Sequence, residues 1–114
     1  MSDCIFCKIA DGTIPATIVH RDELTVAIED INPQAPAHVL IFPVKHVASL
    51  AEMDPESDGA TIARLVGVGT KIGRERGRGE GFRLVMNTGP NGGQTVDHVH
   101  LHVLAGRAME WPPG

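Results

Sequence analysis

The sequence predicts an α+β fold in which an antiparallel sheet packs against one long helix. Short apolar and β-branched segments separated by Gly and Pro are typical of strands, and a single helix-start signal precedes an amphipathic run. The chain has 114 residues, of which 42% are hydrophobic and 21% are charged. We expect one soluble domain over residues 1–114. No apolar run approaches the roughly 18 residues that a membrane span requires, so no membrane partner is expected.

Five short segments rich in apolar or β-branched residues predict strands. The first two flank the polar residues 21–23 and predict a β-hairpin. Two prolines before the third forbid regular ladder pairing there. A Gly-rich loop, residues 87–95, separates the last two. The segments are residues 17–20, 24–29, 38–42, 82–86 and 96–104.

One long helix is predicted over residues 55–75. Asp54 offers a side-chain acceptor at the cap, and Pro55 suits the first helical position. On a helical period Ile62, Leu65, Val66 and Ile72 share one face. Gly69 falls on that face and thins the apolar stripe.

The charge balance argues against a long nucleic acid as a partner. Ten Lys and Arg against fourteen Asp and Glu give a net charge of −4, opposite to the basic surface of a nucleic-acid-binding domain. The basic cluster Lys71, Arg74, Arg76, Arg78 and Arg83 is interpreted as a solvated helix end that suits the helix dipole. The N-terminal residues show no signal-peptide pattern, so a cytoplasmic location is expected.

Cys4 and Cys7 are the only cysteines. In a reducing compartment this spacing indicates a metal or redox pair before a disulfide. A Cys-x-x-Cys is half of a zinc site and needs two more nitrogen or sulfur ligands. Two unligated buried thiols remain an alternative, and a thioredoxin-like pair is less favoured because no strand precedes the motif.

Three of the six histidines, His98, His100 and His102, alternate with aliphatic residues. Side chains two apart in a strand share a face at a spacing of about 6.5–7 Å, so the three imidazoles are expected to face one way. Neutral imidazole can act as a nucleophile, a general base or a metal ligand. His20, on the predicted hairpin, has no partner in view and is expected to be exposed.

The loop before these histidines indicates a phosphate-bearing substrate. Its Gly92-Gly93 pair lets backbone N–H groups approach an anion, and Asn87, Gln94 and Thr95 add side-chain donors. Attack by histidine on phosphorus needs donors aimed at the phosphoryl oxygens, whereas a metal site alone does not need such a loop.

The segment His-Val-His-Leu-His-Val-Leu at 98–104 resembles the signature of the histidine triad (HIT) superfamily. The resemblance extends to residues 30–38, to residues 92–96 and to the Trp-Pro-Pro-Gly tail at 111–114. The branch it resembles is the Hint nucleotide-binding proteins, which hydrolyse purine nucleoside phosphoramidates and acyl-adenylates. The resemblance implies a single HIT domain with about five antiparallel strands, one long helix and a short N-terminal helix. It also implies a purine nucleotide substrate, a homodimer and no organic cofactor.

The resemblance assigns roles to individual residues. His100 matches the nucleophile that forms a nucleotidyl-histidine at the α-phosphorus, His102 the residue that hydrogen-bonds the phosphate and leaving group, and His38 an orienting histidine behind them. Asp30 matches the carboxylate that holds the ribose hydroxyls. Four residues match positions at which family members contact the phosphate or the leaving group: Asn87, Gly93, Gln94 and Thr95. Matches to the apolar walls around the base, each with an ordinary core role as the alternative, are Ile5, Phe6, Ile9, Ile14, Ile28, Ile31 and Leu40.

The resemblance to bacterial relatives implies a structural zinc held by Cys4, Cys7, His46 and His98. An ideal strand would put His98 on the face of His100, so this zinc site requires a twist or bulge at the strand start. Asp97 departs from the aromatic residue that family members often have before the triad. Asp97 brings a negative charge near an anionic substrate, which suggests a shifted substrate preference.

Three other functions remain as alternatives. A dinucleoside polyphosphate hydrolase is disfavoured by the Trp-Pro-Pro-Gly tail, and a metal-binding protein that uses the triad as ligands is disfavoured by the donor loop. A nucleotide-binding regulator with little catalysis is disfavoured by the intact triad. His102 stands where the related nucleotidyltransferase branch carries Gln, which favours hydrolysis over transfer.

Overall fold

The computed structural model describes residues 3–114. Its strands are β1 (Ile18–Arg21), β2 (Thr25–Glu29), β3 (Ala37–Pro43), β4 (Phe82–Val85) and β5 (Leu101–Ala105). They form one antiparallel sheet in the order β1-β2-β3-β5-β4. Within residues 3–114 three α-helices accompany the sheet, α1 (Ile5–Ala10), α2 (Gly59–Gly77) and α3 (Gly89–Gly92), together with one short 3-10 helix (Leu50–Glu52). The predicted α+β fold, with about five strands, one long helix and a short N-terminal helix, is confirmed.

The central strand β3 is buried at every position and separates two apolar clusters. On one face Val39 and Ile41 pack with Leu65, Val68 and Ile72 of α2. On the other face Leu40 and Phe42 pack with α1. Because strand side chains alternate between faces, this apolar strand serves both clusters.

Helix α2 approaches the sheet closely because two of its glycines face it. A Cβ built on Gly69 would lie 2.7 Å from Leu101, and one built on Gly73 would lie 2.5 Å from the Phe82 ring. The predicted apolar stripe is wrong at Val66, which is 45% exposed, while Val68 is buried. Gly69 thus allows the close contact between helix and sheet.

Helix α2 begins later than predicted. Residues 55–58 form turns, and the helix starts at Gly59. The buried Asp58 carboxylate accepts the Asp54 backbone N–H at 2.9 Å and the Lys45 ammonium at 3.0 Å. These bonds favour a turn at the residues that were predicted to open the helix. The helix ends at Gly77, two residues beyond the predicted end.

Two further local expectations differ from the structure. The predicted loop 87–95 contains the single turn of α3. His20 is half-buried and has a partner, because its Nε2 lies 2.6 Å from Oδ2 of Asp22. Among the helices of residues 3–114, none has both the length and the apolar character needed to cross a membrane.

Candidate active site and metal centre

The three histidines of the triad do not share one face, contrary to the prediction. Strand β5 begins only at Leu101, not at residue 96, and residues 96–98 form a bend in which the His98 N–H donates to the Val96 carbonyl at 2.9 Å. His98 is completely buried, beside the two cysteines. His100 and His102 instead line a cavity. The bend supplies the irregularity that the proposed metal role of His98 requires.

The cavity has a volume of about 560 Å³ and lies on the α1 side of the sheet. Cross-strand pairing aligns Ile28, Leu40 and His102 across β2, β3 and β5, so these side chains form one row on its floor. Its volume lies within the range of sites for small molecules. The predicted site residues that line it are Ile5, Phe6, Ile9, Ile14, Ile28, Asp30, Ile31, Leu40, Thr95, His100 and His102.

Five further residues line the cavity without having been expected from the sequence. Pro15, Ala16, Thr17, Glu29 and Val96 also contribute to the cavity wall. Pro15, Glu29 and Val96 are each adjacent in sequence to an identified residue, whereas Ala16 and Thr17 lie two and three positions after Ile14 and had no signal of their own. Asn87, Gly93, Gln94 and His38 are not part of the lining.

The hydrogen bond made by His100 fixes its tautomer. Nδ1 of the buried His100 ring lies 2.8 Å from the carbonyl oxygen of His98. A carbonyl only accepts, so Nδ1 carries the proton and Nε2 keeps its lone pair. His100 therefore has the tautomer that a nucleophile at Nε2 requires.

A series of hydrogen bonds through His38 gives His102 the opposite tautomer. The Gln34 backbone N–H donates to Nδ1 of His38 at 3.0 Å, so the His38 proton is on Nε2. That N–H lies 2.9 Å from Nδ1 of His102 and 3.4 Å from Oδ2 of Asp30. Because His102 accepts at Nδ1, its own proton is on Nε2. His102 is thus an N–H donor.

Burial keeps His38 and His102 neutral near pH 7. Burial, and then repulsion from His100 and His38, lowers the pKa of His102 to about 4. Burial also lowers the pKa of His38, against the opposing effect of the Asp30 carboxylate. Neither ring brings a positive charge to the cavity.

Asp30 lies at the junction of this hydrogen-bond chain and the cavity. Its Oδ1 accepts the Asn32 backbone N–H at 2.7 Å, and its Oδ2 faces His38. A carboxylate has about four acceptor positions, so capacity remains for hydroxyl groups of a ligand.

Gln94 is held by the protein itself. Its amide nitrogen donates to the Ala48 carbonyl at 2.7 Å and to the Val96 carbonyl at 2.9 Å, and its amide oxygen accepts the Gly89 N–H at 3.0 Å. Both amide hydrogens are therefore used within the protein. Gln94 joins the loop before the triad to the segment that follows His46.

Four ligand atoms converge beside the cavity and could hold a metal ion. The sulfur atoms of Cys4 and Cys7 and Nδ1 of His46 and of His98 all lie within 4.8 Å of one another. Nδ1 of His98 is 3.2 Å from Cys4 Sγ, 3.6 Å from Cys7 Sγ and 3.1 Å from Nδ1 of His46. The resemblance to bacterial relatives implies these four residues as ligands, and the fold brings them together.

The cluster has the chemistry and the size of a tetrahedral site. Zn–S bonds of about 2.3 Å and Zn–N bonds of about 2.0–2.1 Å put tetrahedral sulfur and nitrogen ligands about 3.6 Å apart. The spacings in the cluster lie within a few tenths of an ångström of that value. The Nε2–H of His98 donates to the Pro43 carbonyl at 2.8 Å, which leaves the Nδ1 lone pair facing the cluster.

Known proteins resemble this chain in sequence and in fold. The sequence pattern of the HIT domain matches residues 11–109. An uncharacterized HIT-like protein of Synechocystis sp. is 47% identical over 112 residues, which are 98% of this chain and 97% of that protein. The chain therefore belongs to the HIT domain family.

Solved structures agree with this assignment. A HIT family hydrolase from Legionella pneumophila is 46% identical with a TM-score of 0.93, and the match covers 98% of this chain and 100% of that one. A Zn-bound histidine triad family protein from Mycobacterium smegmatis is 36% identical with a TM-score of 0.82, over 93% of this chain and 76% of that one. The HIT fold of this chain is confirmed.

Proposed function

We propose that the protein hydrolyses purine nucleoside phosphoramidates or acyl-adenylates at the α-phosphate, through a nucleotidyl-histidine intermediate on His100. The hydrogen-bond partners of His100 and His102, which imply opposite tautomers, are the observation that carries the proposal. His100 offers a lone pair at Nε2, and His102 offers an N–H at Nε2. A nucleophile beside a neutral donor suits attack on a phosphoryl group. Similarity to HIT family hydrolases supports hydrolysis in general.

The first chemical step forms one bond and breaks another. Nε2 of His100 attacks the α-phosphorus as the bond to the leaving group breaks, and the His100 ring gains positive charge. The His98 carbonyl, which accepts the Nδ1–H of His100, stabilises that charge. A leaving amine takes a proton from solvent, whereas a leaving carboxylate needs none. The His102 N–H donates to the phosphoryl oxygen or to the leaving atom.

The second step releases the nucleotide. Water attacks the phosphorus, the N–P bond breaks, and His100 returns to its neutral form. The products are a nucleoside monophosphate and one proton that passes to solvent. In both steps the apolar walls from α1, β2 and β3 hold the purine, and Asp30 holds the ribose hydroxyls.

The charge of the cavity favours a singly charged phosphate over a polyphosphate chain. No Lys or Arg lines the cavity in the described part of the chain, whereas Glu29 and Asp30 do. His102 is neutral at pH 7 because its pKa is lowered to about 4. A dinucleoside polyphosphate would bring several negative charges with no cation to meet them. That substrate class is therefore the weaker candidate.

Zinc is our proposed occupant of the four-ligand cluster. Two sulfur and two nitrogen ligands match its preferences, and a Zn-bound relative has the same fold. Four protein ligands leave no open position for a substrate or water. A bound zinc would therefore stabilise the fold by holding the N-terminal segment against the sheet.

A homodimer is proposed from the free edge of the sheet. Strand β4 is an edge strand, and Phe82 on it and Val66 on α2 are both partly exposed. Pairing of β4 and α2 across a two-fold axis would extend the sheet and cover these side chains. Trp111, which is 83% exposed, would then reach towards the partner's site. Light scattering that gives the 12.2 kDa of one chain at micromolar concentration would contradict the dimer.

The substrate class is tested by incubation with a matched panel. The panel holds an adenosine phosphoramidate, its guanosine analogue, an acyl-adenylate and a dinucleoside polyphosphate, and the products are resolved by chromatography. We expect nucleoside monophosphate from the first three and little from the last. Cleavage of the dinucleoside polyphosphate alone would favour the alternative hydrolase, and binding without turnover would favour the regulator.

A further inference from the structure

Phe6 contacts both the metal cluster and the candidate active site. Its ring meets the ring of His98 edge-on at a centroid distance of 5.7 Å and the ring of His100 at 5.2 Å. It stacks on Phe42 at 4.5 Å with an interplanar angle of 9°. The side chain is 4% exposed. Close packing of this kind allows the ring little independent movement.

The backbone position of Phe6 depends on the two cysteines that flank it. Cys4 caps α1, because its sulfur accepts the Cys7 N–H at 3.4 Å, and Phe6 lies in the first turn. A metal bound by both sulfurs and by His98 would tie this turn to the segment that leads into β5. A helix of six residues is too short to be stable by itself, so the metal would determine how firmly α1 is held.

Helix α1 also forms one wall of the cavity, through Ile5, Phe6 and Ile9. Phe6 therefore touches a metal ligand, the candidate nucleophile and the space proposed for the purine. We propose that Phe6 is a positioning residue through which metal occupancy of the cluster sets the affinity of the cavity for a nucleotide. This inference rests on the proposed nucleotide function.

The consequence is a coupling between two ligands. When zinc fixes α1, the Phe6 ring holds His100 and the cavity wall in the arrangement that a nucleotide needs. Without zinc, a nucleotide that binds must also order this wall, and the entropy cost of that ordering reduces its binding free energy. We expect zinc to tighten the binding of AMP about tenfold, within the range common for coupled sites. Because coupling is reciprocal, AMP should tighten zinc binding by the same factor.

The experiment is a thermodynamic cycle on the full chain. AMP binding is measured by calorimetry on zinc-loaded and chelator-treated protein, and zinc binding is measured by chelator competition with and without AMP. In Phe6→Leu we expect both coupling factors to fall below about twofold. Circular dichroism checks folding, and Phe6→Met replaces Phe6→Leu if the latter does not fold.

Ile9→Ala is the matched control, because Ile9 is an aliphatic side chain of the same helix and the same cavity wall. It should weaken AMP binding equally with and without zinc and keep the tenfold coupling. Equal AMP affinity with and without zinc in the wild type would overturn the inference, and so would full coupling in the Phe6 variants. Absence of AMP binding to the zinc-loaded wild type would overturn the nucleotide function itself.

Discussion

Replacement of Gln94 tests whether its side chain stabilises the fold or binds the substrate phosphate. The resemblance to the HIT superfamily implies a phosphate or leaving-group contact for this residue. In the structure its amide makes three hydrogen bonds within the protein, to Ala48, Val96 and Gly89. Gln94→Ala removes all three and leaves their backbone partners without this neighbour. We therefore expect the main effect of the variant to be a lower unfolding free energy, with a smaller effect on substrate affinity.

The size of the loss follows from the number of bonds. An intramolecular hydrogen bond contributes about 1 kcal/mol net, so three give about 3 kcal/mol of unfolding free energy. For a domain of this length about 1 kcal/mol corresponds to about 4 °C, which predicts a melting temperature about 12 °C lower. Gln94→Glu should cost at least as much, because it places a carboxylate oxygen opposite two carbonyl oxygens. Chemical and thermal denaturation measure both variants.

Asn91→Ala is the control for this series, since Asn91 is an exposed amide in α3. It should change the unfolding free energy by less than about 0.5 kcal/mol. The reasoning is refuted if Gln94→Ala melts within about 2 °C of the wild type while AMP affinity falls tenfold. That result would mean that the amide makes its important hydrogen bonds to the substrate.

Gly73→Ala should destabilise the protein by about 1–3 kcal/mol, because its Cβ would lie 2.5 Å from the Phe82 ring. Gly67→Ala, in the same helix with nothing within 4 Å, should be neutral or stabilising by up to about 1 kcal/mol; denaturation curves of both variants check this pair. Burial and the neighbouring histidines lower the pKa of His102 from 6.5 to about 4. Between these two pH values the unfolded chain binds a proton at His102 and the folded chain does not, so the unfolding free energy should fall as the pH drops from 6.5 to about 4. His102→Gln, which does not titrate, should show a shallower slope in the same pH series, and equal slopes would contradict the shift. Removal of the metal by a chelator should lower the melting temperature while kcat changes by less than about tenfold; an unchanged melting temperature would show that the cluster holds no structural metal.

The sequence was sufficient for the fold class because the strands have strong local signals. The central strand contains the continuous apolar run 39–42 and ends at Pro43, and the hairpin is marked by β-branched residues on both sides of a polar turn. The start of α2 was placed too early. The turn at residues 55–58 is held by local bonds from the Asp54 and Glu56 N–H groups to the carboxylates of Asp58 and Asp54, and by Lys45, which meets Asp58 only in the folded chain.

Alternation alone could not place the triad correctly. It predicted one face for all three histidines, whereas a bend at residues 96–98 sends His98 to the cysteines. The tautomers of His100 and His102 depend on a neighbouring carbonyl and on a backbone N–H four residues before His38. Both bonds are short-range, but the bend that places the His98 carbonyl and the contact of His38 with His102, 64 positions away, arise only in the fold and cannot be read from a single sequence. The four metal-ligand candidates were identifiable from family resemblance, although their geometry was not.

The most direct test of the central claim is the turnover of an adenosine phosphoramidate by His100→Gly. Loss of the nucleophile removes the covalent route but leaves most contacts to the bound nucleotide. We predict that turnover falls more than about a thousandfold, which is about 4 kcal/mol of barrier, while AMP affinity stays within about tenfold of the wild type. Turnover within about tenfold of the wild type, or about 1.4 kcal/mol, would contradict a nucleophilic role for His100.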